Sequence, residues 1–162
     1  TPQGAWKLEP NGTYAIGPGG EQAFIEYALP IDTPSLMLEL IDAVNSADGI
    51  TIDNAHETYA RIHMGAVHIH PFWDGNGRIA RLLANIPLLR AGLPPLTITQ
   101  ADRRQYIRLL ANYQIGVGRL SRSTGVWPEP EKLHDFSAYC RANYSSTREL
   151  VEAAFAVQKR RT

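Results

Sequence analysis

The chain has 162 residues and a mass of 18.0 kDa, which suits one domain and leaves little for a second. Hydrophobic residues make up 44% and charged residues 20%, with 16 basic against 16 acidic side chains, so the formal net charge is zero. That balance excludes wholesale disorder and argues against a protein that binds nucleic acid by neutralising phosphates.

The first thirty residues are rich in Gly and Pro, with short β-prone runs at Tyr14–Ile16 and Phe24–Tyr27. Around Gly17-Pro18-Gly19-Gly20 they predict a hairpin, with Asn11-Gly12 as a competing turn. Asp32 or Thr33 is placed to cap a first helix with Pro34 in its first turn, and Leu36, Leu40 and Val44 then recur every four residues until Gly49. A second helix is expected from about Asp53 to Val67, carrying Tyr59, Ile62 and Ala66 inward. Pro71 breaks the pattern, so His70–Gly77 reads as a loop. A third helix follows from Asn76 to about Ala91, with Gly92 just beyond it. On it, Arg78, Arg81 and Asn85 share one face, while Ile79, Leu82, Leu83 and Ile86 are expected to pack inward. Thr99 with Asp102 resembles a capping pair for a fourth helix bearing Tyr106, Leu109, Leu110 and Tyr113. Ser121–Pro130 is a loop holding Trp127, and a helical tail runs from Glu131. The fold class is therefore mainly α with a small β-hairpin, a single domain over 1–162.

Cys140 is alone and cannot form an internal disulfide, which fits a reducing compartment. No apolar run approaches a membrane span and no signal-peptide pattern is present, so a cytoplasmic location without membrane attachment is expected. The chain begins at Thr1 rather than Met, as an excised piece of a longer protein would.

Charge is unevenly spread. Thr1–Asp74 holds ten acids against two bases, Lys7 and Arg61, whereas Gly75–Arg122 holds eight arginines against one acid, Asp102. A compact basic region on a neutral protein suits a small polyanion. The chemistry concentrates in His70-Pro71-Phe72-Trp73-Asp74-Gly75-Asn76-Gly77-Arg78-Ile79-Ala80-Arg81. Gly75, Asn76 and Gly77 stand where a helix begins, so unpaired N–H groups there face an anion. Arg78 and Arg81, three apart, repel one another and oppose the helix dipole unless an anion lies between them. Asp74 is a hard oxygen ligand suited to the Mg²⁺ that accompanies a di- or triphosphate. His70 supplies a group able to take a proton near neutral pH.

This segment resembles the signature of Fic-domain proteins, H-[FP]-F-x-[DE]-G-N-G-R-x-x-R, at every specified position. The resemblance, to the protein adenylyltransferase branch of the Fic/Doc superfamily, implies a helical bundle with a hairpin flap (residues 13–29) before an active-site helix–loop–helix (residues 53–91). It implies transfer of AMP from ATP to a Ser, Thr or Tyr hydroxyl of a target protein, with His70 as general base. Asp74 would hold Mg²⁺, Gly75, Asn76 and Gly77 would form the anion hole, and Arg78 and Arg81 would clamp the β- and γ-phosphates. Phe72 would anchor the loop in the core, and a target segment would pair with the flap near Tyr14, Ile16, Phe24 and Ile25. Relatives that act as kinases carry Lys where Gly77 stands. Many members are restrained by a helix reading [ST]-x-x-x-E-[GN]; Ser35–Glu39 and Ser145–Glu149 match its first part, but each is followed by Leu. The restraint is therefore expected on an inhibitory helix outside this fragment or on an antitoxin partner. Toxin, endogenous regulator and effector delivered into a host cell all use the motif.

Three alternatives compete: transfer of UMP or phosphocholine by the same loop, a binding module without turnover, and a metal-dependent hydrolase using His68, His70 and Asp74. The intact His70 weighs against the second. Against the third, His56-Glu57 lacks the second His of a zincin, because Ala60 stands there. Gly75-x-Gly77-x-x-Ala80 also fits the loose dinucleotide fingerprint, but a helix precedes it instead of a strand. Tyr106 and Tyr113 are candidates for an adenine wall, and Trp73 is expected to pack over the loop or to face the target, with packing favoured.

Overall fold

The computed structural model describes residues 4–99 and 101–159. Its strands are β1 (Gly12–Ile16) and β2 (Gln22–Glu26), and its helices α1 (Thr33–Ser46), α2 (Ala55–Ile69), α3 (Asn76–Arg90), α4 (Arg103–Val117) and α5 (His134–Lys159), with a 3₁₀ turn at Pro130–Leu133 before α5. The fold is mainly helical with one small antiparallel hairpin, as the composition and periodicity predict.

Helix α2 is the axis of the molecule, packed against α1, α3 and α5. Apart from Glu57 and Arg61 it exposes almost nothing, because its sequence is apolar or small on nearly every face. Gly65 marks the tightest approach. A Cβ there would stand 2.7 Å from Val126 Cγ1, 3.0 Å from Trp127 and 3.2 Å from Leu40. Trp127 closes this side by donating its indole N–H to the Arg61 carbonyl (2.8 Å), with the Arg61 guanidinium over its ring.

Helix α3 lies against α2 through Ala80, Ala84 and Leu88, all fully buried. Of the four residues expected inward, Leu83 and Ile86 do pack against the core, half-buried, whereas Ile79 is half-buried outside it and Leu82 is 70% exposed. The alanines at i, i+4 win because they let two helix backbones come close, which four bulky side chains would prevent. Asn85 does not continue a polar stripe either. Its amide bonds both the carbonyl and the N–H of Leu96, tying the following segment back onto α3.

The capping expectations need correction. Asp32 precedes α1 but caps nothing; its carboxylate takes the Arg122 N–H (3.2 Å) and pairs with that guanidinium. Thr33 instead donates its hydroxyl to the Leu29 carbonyl. Before α4, Thr99 donates to the Asp102 carboxylate (2.7 Å), so the two side chains satisfy each other and no helix N–H.

In the hairpin, Tyr14 stands opposite Phe24 with ring centroids 5.1 Å apart, and both are exposed, as is Ile16. Alternation turns Ile25 to the other face, where it is buried with Tyr27 and Ala111 against α4. The Ile25 side chain therefore points away from Tyr14 and Phe24, and it helps to line the cavity beneath the hairpin.

Candidate active site

Helix α2 ends at Ile69, two residues later than its periodicity suggests, and His70 is its C-cap in the left-handed region (φ 51°, ψ 58°). Among the described residues His70 alone of the non-glycines has a positive φ. Such a backbone costs about 1–2 kcal/mol and persists only where its surroundings enforce it. Here they do. The His70 N–H reaches the Ala66 carbonyl (3.2 Å), and its ring lies parallel to that of Tyr27, with centroids 3.8 Å apart and planes 7° apart.

His70 Nδ1 lies 3.2 Å from the Val67 carbonyl. A carbonyl only accepts, so Nδ1 carries the ring proton and Nε2 keeps its lone pair. Burial pushes the imidazole down to about 4, the Val67 bond opposing that shift and the Lys7 ammonium adding to it. The ring is thus a neutral acceptor at pH 7.

The loop that follows is shaped by Asn76. Its amide accepts the Phe72 N–H (2.9 Å) and donates to the Phe72 carbonyl (2.7 Å), and the residue is only 4% exposed. The anchor expected of the Phe72 side chain is thus supplied by Asn76 acting on the Phe72 backbone, while the Phe72 side chain is half-buried and outside the main core. Both ends of the Asn76 amide hold the Phe72 backbone, so this side chain serves the shape of the loop. Gly75, at φ 80°, makes the left-handed entry into α3 that an L side chain resists.

Asp74 and Arg78 form an exposed ion pair (3.2 Å), and the other Asp74 oxygen takes the Gly75 N–H (2.6 Å). Arg81 forms no ion pair among the described residues. His70, Asp74, Gly75, Gly77, Arg78 and Arg81 line one cavity of about 1440 Å³, which the hairpin borders with Tyr14 and Ile16 and α4 borders with Tyr106, Arg104 and Arg108. Phe24 stands next to it on the same hairpin face as Tyr14.

Other residues fall outside. His68 is 1% exposed and sits edge-on against Tyr113 in the core, so it does not join His70 and Asp74. Among the described residues no three His, Cys, Asp or Glu side chains gather closely enough to hold a metal, and the hydrolase alternative lapses. Tyr113 is not part of the cavity wall; Tyr106 is, with its hydroxyl held by His63 Nε2 at 3.1 Å. Trp73 is 40% exposed, which leaves part of its ring facing outward. Glu39 accepts the Val126 N–H and Glu149 is exposed, and neither pairs with a motif arginine. Nothing local in the sequence links Lys7, Asn11 and Tyr27 to a loop more than forty residues away.

A helix–loop–helix that aims a neutral imidazole and an arginine-flanked helix N-terminus into one cavity defines a class of protein. The family model described as Fic/DOC family matches residues 4–88, and the chain belongs to that family. Two curated relatives carry the name protein adenylyltransferase Fic: that of Drosophila grimshawi is 55% identical over 51 residues, covering 32% of this chain and 11% of its own length. That of Drosophila melanogaster is 43% identical over 82 residues, covering 50% of this chain and 16% of its own. The chain thus spans about a tenth to a sixth of these relatives' length. A solved Fic-domain-containing signalling protein from Bacteroides thetaiotaomicron superposes over 94% of this chain and 56% of its own, with a TM-score of 0.75 and 34% identity. No helix among the described residues is long and apolar enough to cross a membrane.

Proposed function

We propose that the chain is a protein adenylyltransferase that moves AMP from ATP to a hydroxyl of a target protein. The observation that carries this reading is the contact of His70 Nδ1 with the Val67 carbonyl (3.2 Å): with Nδ1 donating there, Nε2 is the free base, and His70 lines the same cavity as Gly75, Gly77, Arg78 and Arg81. The target's Ser, Thr or Tyr oxygen attacks the α-phosphorus, forming the new P–O bond. The bond from that phosphorus to the β-phosphate bridging oxygen breaks, pyrophosphate leaves with the electron pair, and Nε2 takes the hydroxyl proton. The N–H groups at the start of α3 receive phosphate oxygens, and Arg78 and Arg81 balance the triphosphate charge. A ring at about pKa 4 is a weak base, but the negative charge of a bound triphosphate raises it toward the working pH.

The donor set fits Mg²⁺. Asp74 is one exposed carboxylate next to the arginine site, as suits an ion held mostly by phosphate and water. When bound, the ion neutralises phosphate charge. Arg78 must then share or release Asp74, so the ligand-free ion pair gives way to phosphate contacts. The exposed edge of the hairpin, flanked by Tyr14, Ile16 and Phe24, receives an extended target segment. Restraint of the enzyme falls to an inhibitory helix or partner outside this chain.

Intact mass after incubation with ATP and Mg²⁺ tests the reading, because such enzymes commonly modify themselves. A gain of one AMP residue, absent in His70→Ala, is expected. A gain of UMP or phosphocholine from UTP or CDP-choline alone would replace the nucleotide assignment, and no transfer from any donor would leave a binding module.

A further inference from the structure

Among the described residues Lys7 is the one lysine in the core. It is 2% exposed, in the segment leading to β1, and burial pushes its ammonium down to about 8. Its partners are neutral oxygens: Nζ donates to Asn11 Oδ1 at 2.7 Å and to the Ile69 carbonyl at 3.0 Å. The Lys7 backbone N–H donates to the Pro71 carbonyl at 2.8 Å, and Asn11 Nδ2 donates to the His70 carbonyl at 3.4 Å. Three successive carbonyls, of residues 69, 70 and 71, are therefore each held by Lys7 or Asn11. They are the carbonyls of the left-handed turn that aims His70, and the end of α2 supplies no helical N–H for them. Asn11 also reaches the imidazole from its face: its backbone carbonyl accepts the Tyr27 N–H (3.1 Å), and the Tyr27 ring stacks on His70.

We infer that Lys7 and Asn11 are positioning residues for the catalytic base, a brace that fixes the turn at residues 69–71 and so holds His70 with Nε2 toward the cavity. Neither touches the phosphate site, which is built on the far side of the loop by Asn76 and α3. The brace also gives the hairpin a direct mechanical link to the base, because Asn11 immediately precedes β1. A strand added to the hairpin pulls on the residue that holds His70. A buried ammonium facing carbonyls is a costly way to achieve packing alone, since a methionine of similar length would fill the space.

The catalytic part of this inference rests on the adenylyl-transfer reading; the structural part does not. The test uses ¹⁵N-edited NMR of the His70 ring, assigned with His70→Gln, alongside kcat and KM for ATP, on the whole chain and on Lys7→Met, Lys7→Arg and Asn11→Ala. The unaltered chain should show a single Nδ1–H tautomer. Lys7→Met and Asn11→Ala should show mixed tautomers and lose about 10- to 100-fold in kcat, the scale of a misplacement near one ångström, with KM for ATP unchanged within about twofold. Lys7→Arg should restore part of both. Should Lys7→Met fail to fold, the half-buried Asn11 still decides. Folded variants that keep the single tautomer and the original kcat would overturn the inference, as would losses shared equally by kcat and ATP affinity. The ring signals need no turnover, so a chain inactive with every donor whose tautomer still shifts would keep the brace and sink the transfer reading alone.

Discussion

The two ends of the active-site loop are built on opposite principles. At the base end, His70 stands at the close of a buried helix, stacked on Tyr27 and held neutral by desolvation. At the anion end, Asp74 and Arg78 are largely in solvent, with 89% and 73% of their side chains exposed, and Arg81 has no carboxylate partner among the described residues. On the proposed reading, the difference follows from the charge each end must handle. A base has to be neutral and correctly turned before substrate arrives, which low dielectric and packing secure. A phosphate site must exchange its partners on binding, which exposed and weakly paired ions allow.

The largest effect expected from breaking this contrast belongs to the base. His70→Ala should slow transfer by about 10²- to 10⁴-fold, the usual contribution of a general base, while ATP affinity measured by calorimetry stays within about twofold. A large loss of affinity would make His70 part of the binding site as well. At the other end, Arg81→Ala should weaken ATP by about 10- to 100-fold and AMP far less, since a charge-assisted bond contributes about 1.5–3 kcal/mol. Equal losses for both nucleotides would move Arg81 off the terminal phosphates.

Acid should act on the buried side first. Burial lowers His63 to about 3 and His68 and His70 to about 4, from the usual 6.5, and Arg81 adds to the shift at His63. Each ring takes a proton more readily unfolded than folded, so stability is full above about pH 6.5 and falls as pH drops toward 4. The slope is at most about 1.4 kcal/mol per pH unit for each ring. Thermal melts from pH 7.5 to 4.5 should show Tm level and then falling, and a flat profile would mean that these rings are less buried than the fold places them. The smallest effect on stability is expected from Asp74→Asn. Removing one half of an exposed pair should change folding stability by no more than about 0.5 kcal/mol in urea melts, while Mg²⁺-dependent transfer is lost. A substantial stability loss would show that the anion end, too, is structurally set.

The helices and the hairpin were legible because apolar spacing and turn residues are local signals, read within a dozen positions. Local rules fail where a side chain has a distant partner to choose. Asp32, placed to cap α1, serves Arg122 instead; Leu82, at an apolar position of α3, yields to Ala80 and Ala84. Phe72 leaves the anchoring of the loop to the Asn76 amide, four residues away. At the site, His70, Asp74 and Gly75–Arg81 were legible as a group because their chemistry lies in twelve consecutive residues. What those residues lean on was not.

By itself the sequence determined the family of the chain, the elements that carry the motif, and the order of base, acid, glycines and arginines along the loop. Those follow from short-range rules: helix period, the breaking effect of Pro71 and the left-handed freedom of Gly75. The tertiary structure decided which nitrogen of His70 is free, that the ring is neutral, that Ile25 faces inward, and that Lys7 and Asn11 hold the turn from some sixty residues away. Burial and hydrogen-bond partnership are properties of neighbours in space, and folding alone brings such neighbours together.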